Sequence, residues 1–297
     1  MQKAEVNTIE TTPVRRKKES QIVMIFKRIL KDRGATIGLI GILFFVFIAI
    51  FAEQIAPYDP YELDITAMLT GPSWKHWMGT DELGRDVLSR LIYGTRYSLA
   101  LGVLGSLMSF ACACVLGCIA GYFGGWIESL IMRICDVMMS IPGTLLTIII
   151  SAVLGSGFFV TLVALSFGGI FNQVRMLRAQ ILRERGQEYL EAAEAYNCKK
   201  SKIMFVHLLP NVVSPLLVNL TMGVSGTINS AATLSFLGLG IQPPTPEWGA
   251  MLSAGRDYLR NCPTLILFPG LVIMIFCWCV NLFGDGLRDA MDPKLKN

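Results

Sequence analysis

The stretch Glu188-Tyr189-Leu190-Glu191-Ala192-Ala193-Glu194-Ala195-Tyr196-Asn197-Cys198-Lys199-Lys200-Ser201-Lys202-Ile203-Met204-Phe205-Val206-His207-Leu208-Leu209-Pro210-Asn211 is a polar island between two long apolar runs. Its first half is rich in Glu, Ala and Leu, strong helix formers, and reaches Asn197 without a breaker. Asn tolerates the left-handed conformation that ends many helices, so Asn197 marks the stop. Ser201 is then placed to cap a second helix, whose apolar positions Ile203, Met204, Phe205, Leu208 and Leu209 run up to Pro210. The reading is helix, turn, helix. Ala192 and Ala193 give the first helix a low-relief face that another backbone can approach, with Glu191 and Glu194 beside it. Such a shape suits docking against a partner.

The flanking runs decide the fold class. Hydrophobic residues make up 53% of the 297, charged ones 16%, and the mean hydropathy is +0.53. A soluble domain of this size is far less apolar. Six runs approach the length needed to cross about 30 Å of hydrocarbon: Gly34 to Phe51, Tyr97 to Tyr122, Trp126 to Leu154, Phe158 to Met176, Val212 to Leu237 and Thr264 to Phe283. An all-α polytopic membrane protein with six transmembrane helices follows. With both termini inside, twenty of the 26 Lys and Arg fall on inner segments, the bias of cytosolic loops. The net charge of +4 therefore reflects sidedness, not a nucleic-acid partner, and the docking island lies in the cytosol.

The chain divides accordingly. Residues 1–34 are a cytosolic basic arm containing Arg15-Arg16-Lys17-Lys18, uncleaved, with a basic amphipathic lead-in to the first span. Residues 35–96 hold that span and an extracytoplasmic loop, 97–285 the five-span core with the island at 186–210, and 286–297 a cytosolic tail. In the outer loop Asp81 is placed to cap a helix with Val87, Leu88, Leu91 and Ile92 on one face and Arg85, Asp86, Ser89 and Arg90 on the other. Two readings stay open: a helix lying on the outer membrane surface, or a face packed on neighbouring spans. Gly102, Gly105, Gly117 and Gly121 let span two approach other helices closely. Arg133 and Asp136, near the inner end of span three, are expected to pair with each other or snorkel.

Several chemistries are excluded. Six of the eight cysteines sit in apolar runs, and Cys198 and Cys262 fall on opposite sides of the membrane, so no disulfide framework follows. No zinc-type spacing is present, and His76, between Trp74 and Trp77, reads as a wet loop residue; no metal site is expected. The chain has no Gly-x4-Gly-Lys-Ser/Thr phosphate loop, and spans one, two, four, five and six have no carboxylate or histidine relay of the kind ion-driven carriers use. Gly223-Val224-Ser225-Gly226 matches the Gly-x-Ser-Gly site of six-span intramembrane serine proteases. The base such a serine needs is missing, because His76 and His207 both lie outside the spans.

Here the sequence resembles a known family. Glu191-Ala192-Ala193, the turn residue Asn197 and His207-Leu208-Leu209-Pro210 are similar to the "EAA" coupling loop of ABC importer permeases. Gly79-Thr80-Asp81-Glu82-Leu83-Gly84-Arg85-Asp86-Val87-Leu88-Ser89-Arg90 and Asn281-Leu282-Phe283-Gly284-Asp285-Gly286-Leu287-Arg288-Asp289-Ala290-Met291-Asp292-Pro293 narrow the likeness to the dipeptide/oligopeptide/nickel permeases, in the subunit with an N-terminal extension. The resemblance implies a type I ABC importer permease architecture in the cytoplasmic membrane. It also implies a second homologous permease subunit, two ATP-binding subunits that carry ATP and Mg, an extracytoplasmic substrate-binding protein, and no cofactor on this chain. Peptides are the implied cargo, with nickel or another small solute as the alternative; export of antimicrobial peptides is disfavoured by the importer-type loop.

Carried onto this sequence, the resemblance assigns docking to Glu191, Ala192, Ala193 and Asn197, with His207, Leu209 and Pro210 passing motion into span five. Gly284, Asp285 and Arg288 are expected to brace the loop. Asp81, Arg85, Asp86, Pro244 and Trp248 are candidates for contact with the binding protein. The chain departs from the pattern at Asn197, where the family has Gly, and at Cys198-Lys199-Lys200, where a small residue, Ser and Asp follow. The two lysines either face acidic groups on the ATPase or are solvated.

Overall fold

A computed structural model describes residues 21–291. The Arg15–Lys18 cluster and the tail residues Asp292, Pro293, Lys294 and Lys296 lie outside that range. Among the described residues the chain is helical and has no strand beyond an isolated bridge between Thr80 and Asp86.

In chain order the helices are α1 (Gln21–Lys31), α2 (Arg33–Ile50), α3 (Ala52–Ile55), α4 (Val87–Phe123), α5 (Gly125–Met139) and α6 (Gly143–Leu154). They continue with α7 (Phe158–Glu184), α8 (Glu188–Ala195), α9 (Lys200–Lys202), α10 (Leu209–Phe236), α11 (Trp248–Gly255) and α12 (Thr264–Met291). Four of them, α2, α4, α7 and α12, are long and apolar enough to cross a membrane alone, and two bent pairs bring the number to six.

The first bent pair corrects the single helix expected from Trp126 to Leu154. Helices α5 and α6 meet at 86°. Pro142 sits at the break, where it donates no amide hydrogen and disfavours helical geometry in the residue before it. Neither half spans hydrocarbon by itself: the 12 residues of α6 reach roughly 18 Å. The second pair is the start of span five, where the segment Lys200–Val212 meets Pro215–Phe236 at 68°, with Pro215 at the bend.

Helix α4 is the spine. Its 37 residues give a length of roughly 55 Å, well beyond the hydrocarbon thickness. The outer motif therefore does not make a separate interfacial helix. Asp86, not Asp81, is the cap: its carboxylate accepts from the Ser89 amide at 2.8 Å, and Val87 opens a helix that runs without a break into span two. Of the two open readings the packed one holds, since Val87 and Leu91 are 1% and 4% exposed.

The glycines of α4 work as expected. A Cβ on Gly102 would stand 2.6 Å from Ile228 of α10, and one on Gly117 or Gly121 would stand 2.9 or 2.6 Å from Leu177 or Ile181 of α7. Only bare backbone lets α7 and α10 settle this closely on α4. Helix α2 packs on α12, whose other side meets α10. The aromatic centre of the outer half is Phe45, Trp248 and Phe276, with ring centroids 5.1 to 5.8 Å apart in edge-to-face contact.

Candidate functional site

The polar island at residues 188–210 folds as the sequence suggests, with two changes. Helix α8 ends in a Schellman closure: Asn197 takes φ 53° and the Cys198 amide donates to the Ala193 carbonyl at 3.1 Å. The second helix starts two residues early. Lys199 holds the cap position without a side-chain bond, and its carbonyl accepts from the amides of Lys202 and Ile203 at 2.8 and 3.0 Å. Ser201 is an exposed residue inside α9 and caps nothing.

The next six residues, Ile203–Leu208, form a π turn in which the Leu209 amide reaches back to the Met204 carbonyl. Pro210 explains it in part: Pro donates no amide and its ring crowds the carbonyl four residues back, so a wider turn relieves the ladder ahead of it. The widening rotates Phe205 and Val206 outward, to 42% and 56% exposed. Phe205 is thus not part of the inward face expected of it.

The loop has a sharp inside and outside. Leu190, Ile203, Met204 and Leu208, at most 4% exposed, join Cys114, Cys118 and Tyr122 of α4, Leu177 and Ile181 of α7, and Val212 and Leu216 of α10 in one apolar node. On the other side Glu191, Ala192 and Asn197 are exposed, Ala193 and His207 are half-buried, and Tyr196 is 86% exposed. Leu209 packs beside the node, Pro210 is exposed, and the Asn211 amide donates to the His207 carbonyl at 2.9 Å. The node joins α8 to α4, α7 and α10 in one close-packed cluster.

Two ion pairs that the sequence reading missed hold α7 as it enters the loop. Arg178 bonds Glu128 and Arg175 bonds Asp136, both acids lying on α5. Asp136 therefore pairs across helices and not with Arg133. The spacing of Arg175 and Arg178 on α7 was a signal; their partners, some 40 to 50 positions away in the chain, were not legible without the packing.

Gly284, Asp285 and Arg288 lie within α12, where Gly284 is buried against Met222 of α10 while Asp285 and Arg288 are exposed. Among the described residues, no hydrogen bond or ion pair joins Asp285 or Arg288 to residues 186–210.

At the other end of the bundle, four of the five residues read as surface contacts are buried. Asp81, Arg85 and Asp86 are 3% to 6% exposed and Trp248 is 0% exposed, leaving Pro244 at the surface. Their polar groups bond inward. Asp81 receives Arg85 Nε at 2.7 Å and the amides of Leu83 and Arg85 at 2.9 and 3.0 Å. Arg90 donates to the Pro60 and Pro244 carbonyls at 3.0 and 3.4 Å. His76 is not the wet residue expected. It is 6% exposed, its Nδ1 lies 2.9 Å from Asp86 Oδ1, and its ring lies tilted 4.9 Å from that of Tyr58.

Glu247, which the sequence reading passed over, knits this end together. It is 2% exposed, and its two oxygens accept from Ser98 of α4, Ser235 of α10 and the Gly249 and Ala250 amides that open α11, at 2.8 to 3.0 Å. Four donors satisfy a carboxylate that would otherwise be costly to bury. Next to it, Trp248 Nε1 donates to the Leu91 carbonyl at 3.2 Å. Among the described residues no cluster of His, Cys, Asp and Glu is placed to hold a metal ion, and all eight cysteines are free.

Comparison with known proteins places this geometry. The sequence profile described as "Binding-protein-dependent transport system inner membrane component" matches residues 113–297, and that of the "N-terminal TM domain of oligopeptide transport permease C" matches residues 20–72. The chain belongs to the binding-protein-dependent permease family. It is 43% identical over 272 residues to the dipeptide transport system permease protein DppC of Haemophilus influenzae, covering 90% of this chain and 92% of that one. It is 44% identical to the di/tripeptide transport system permease protein DppC of Pseudomonas aeruginosa, covering 90% of each. To the glutathione transport system permease protein GsiD of Escherichia coli it is 43% identical, covering 91% and 90%. Among solved structures, a chain of the MetNI methionine ABC transporter in an inward-facing conformation superposes with a TM-score of 0.54 at 18% identity, covering 68% of this chain and 97% of that one. That likeness confirms the permease fold. In such importers the permease is one subunit and ATP hydrolysis belongs to others, which fits a chain without a phosphate loop.

Proposed function

We propose that this permease is the subunit through which an ATP-driven importer moves peptides across the cytoplasmic membrane, and that residues 188–210 are its seat for an ATPase subunit. The observation that carries the reading is the two-sided loop: Glu191, Ala192 and Asn197 face outward on a helix whose inner side is fused to α4, α7 and α10. Closure of two ATPases on nucleotide would draw this loop and its counterpart on a second homologous permease together. The rigid node would convert that movement into a change of helix tilt, with Pro215 as the hinge into span five. The pore is thus a two-state element biased by ATP on one side and by a loaded extracytoplasmic binding protein on the other.

The peptide assignment rests on the relatives named above, and the topology on the distribution of Lys and Arg, which puts both termini and the loop in the cytosol. ATP and Mg belong on the partner subunits. The outer contact with the binding protein falls to exposed loop positions such as Pro244; Asp81, Arg85, Asp86 and Trp248 support that surface from beneath. Reconstituting the chain in liposomes with its companion subunits and assaying labelled dipeptide tests the reading. Uptake should require ATP, the binding protein and an intact loop; uptake indifferent to ATP, or transport of nickel in place of peptide, would refute it.

A further inference from the structure

Helix α1 carries three distinct stripes. Ile25 and Ile29 point into the bundle, where they pack with Ala35 of α2 and with Phe283, Leu287 and Ala290 of α12. Arg28 adds a hydrogen bond to the Ala290 carbonyl at 3.3 Å. About a quarter turn around the helix, Phe26 and Leu30 are 54% and 51% exposed. A further quarter turn brings the exposed cations Lys27 and Lys31, and Arg33 follows at the head of α2. Asp32, between the two helices, caps α2, accepting from the Ala35 amide at 2.6 Å.

Two features say what meets the exposed stripes. First, Asp32 alone separates α1 from α2, and α2 is little covered by protein, with Ile37, Ile40, Phe44 and Phe47 all more than half exposed. The apolar stripe of α1 therefore continues a lipid-facing surface, and no slack lets the helix leave the membrane. Second, the order protein, apolar, cationic around one short helix is that of a segment lying in the interface plane, with its apolar flank in the acyl boundary and its charges at headgroup level. The site is at the same end of the bundle as the docking loop, since α1 meets the last turns of α12.

We propose that α1 is an in-plane anchor that binds anionic phospholipid headgroups, with Phe26 and Leu30 inserted below the phosphates and Lys31 and Arg33 against them. Through Ile25, Ile29 and Arg28 the same helix ties the lipid surface to the end of α12. The inference depends on the membrane-spanning fold and not on the cargo or on the role of residues 188–210.

The test uses the assembled transporter in nanodiscs of phosphatidylcholine with or without phosphatidylglycerol. Nitroxide labels go at Phe26→Cys and Leu30→Cys, and at Met24→Cys on the opposite side, each measured against the labelled parent. Labels at 26 and 30 should be reached by oxygen and shielded from a nickel chelate, with the reverse at 24. In phosphatidylglycerol the two labels should sit deeper. Each cation near an anionic leaflet contributes about a fivefold preference, so Lys31→Glu with Arg33→Glu should abolish the deepening and cut enrichment of phosphatidylglycerol around the protein by more than tenfold. If that variant does not assemble, Lys31→Gln with Arg33→Gln gives the same test with a smaller loss. Nickel access at 26 and 30, or shielding there from both reagents by a partner subunit, overturns the proposal, as does equal depth in both lipids.

Discussion

The backbone amide of Cys198 lies 3.1 Å from the carbonyl of Ala193, and the residue between them that makes this possible is Asn197 at φ 53°. This one closure sets the end of α8 and the direction in which the chain leaves it. An Asn here performs the task that glycine does in the family pattern, at a small conformational cost.

It follows that Asn197→Gly should be tolerated, while Asn197→Val, which is β-branched and poorly suited to positive φ, should destabilise the loop by about 1 to 2 kcal/mol. Hydrogen exchange of residues 188–196 reads this directly: faster exchange in the Val variant and little change in the Gly variant are expected.

The contact of Gly121 with Ile181 predicts a coupled pair. Gly121→Leu should cost about 1 to 3 kcal/mol through overpacking, and Ile181→Ala should cost a comparable amount through the cavity it leaves. Together they should cost less than their sum, because each makes room for or fills the other. Thermal unfolding of the four proteins of this cycle in one detergent measures the term; strict additivity would show that α4 and α7 do not touch there.

Glu247 gives the outer end its own test. Glu247→Ala strands the Ser98 and Ser235 hydroxyls and two amides, and each lost hydrogen bond to a charged group is worth roughly 1.5 to 3 kcal/mol. A large fall in melting temperature is expected, with a smaller one for Ser235→Ala and a double variant little worse than Glu247→Ala alone. A Glu247→Ala protein as stable as the parent would mean that this end is held by the apolar cluster of Phe45, Trp248 and Phe276 without the carboxylate.

These residues also show what a sequence discloses. Composition and apolar run length were enough for the fold class, because crossing hydrocarbon demands long helices of one chemical character. The helix-turn-helix shape of residues 188–210 was legible because its signals are local: helix formers, a left-handed stop, a proline. Non-local pairing was hidden. Nothing in the run around Asp136 names Arg175 as its partner, and nothing near Glu247 points to Ser98. The burial of Asp81, Arg85, Asp86 and His76 was misjudged for the same reason: polar residues in an outer loop look wet until the loop is seen folded onto α4. The break at Pro142 was visible as a residue but not as an 86° turn, since prolines within spans often only kink them.

The most direct test of the central claim, that the exposed side of α8 seats an ATPase subunit and drives the gate, is a cross-link from Ala192→Cys in the complete transporter, with its effect on uptake. A short bifunctional reagent should join this position to the ATPase subunit in high yield, and Ala192→Trp should abolish ATP-driven uptake while the subunits' nucleotide binding persists. Failure to cross-link from 192 in an otherwise active complex, or normal uptake with tryptophan in place of Ala192, would contradict the account.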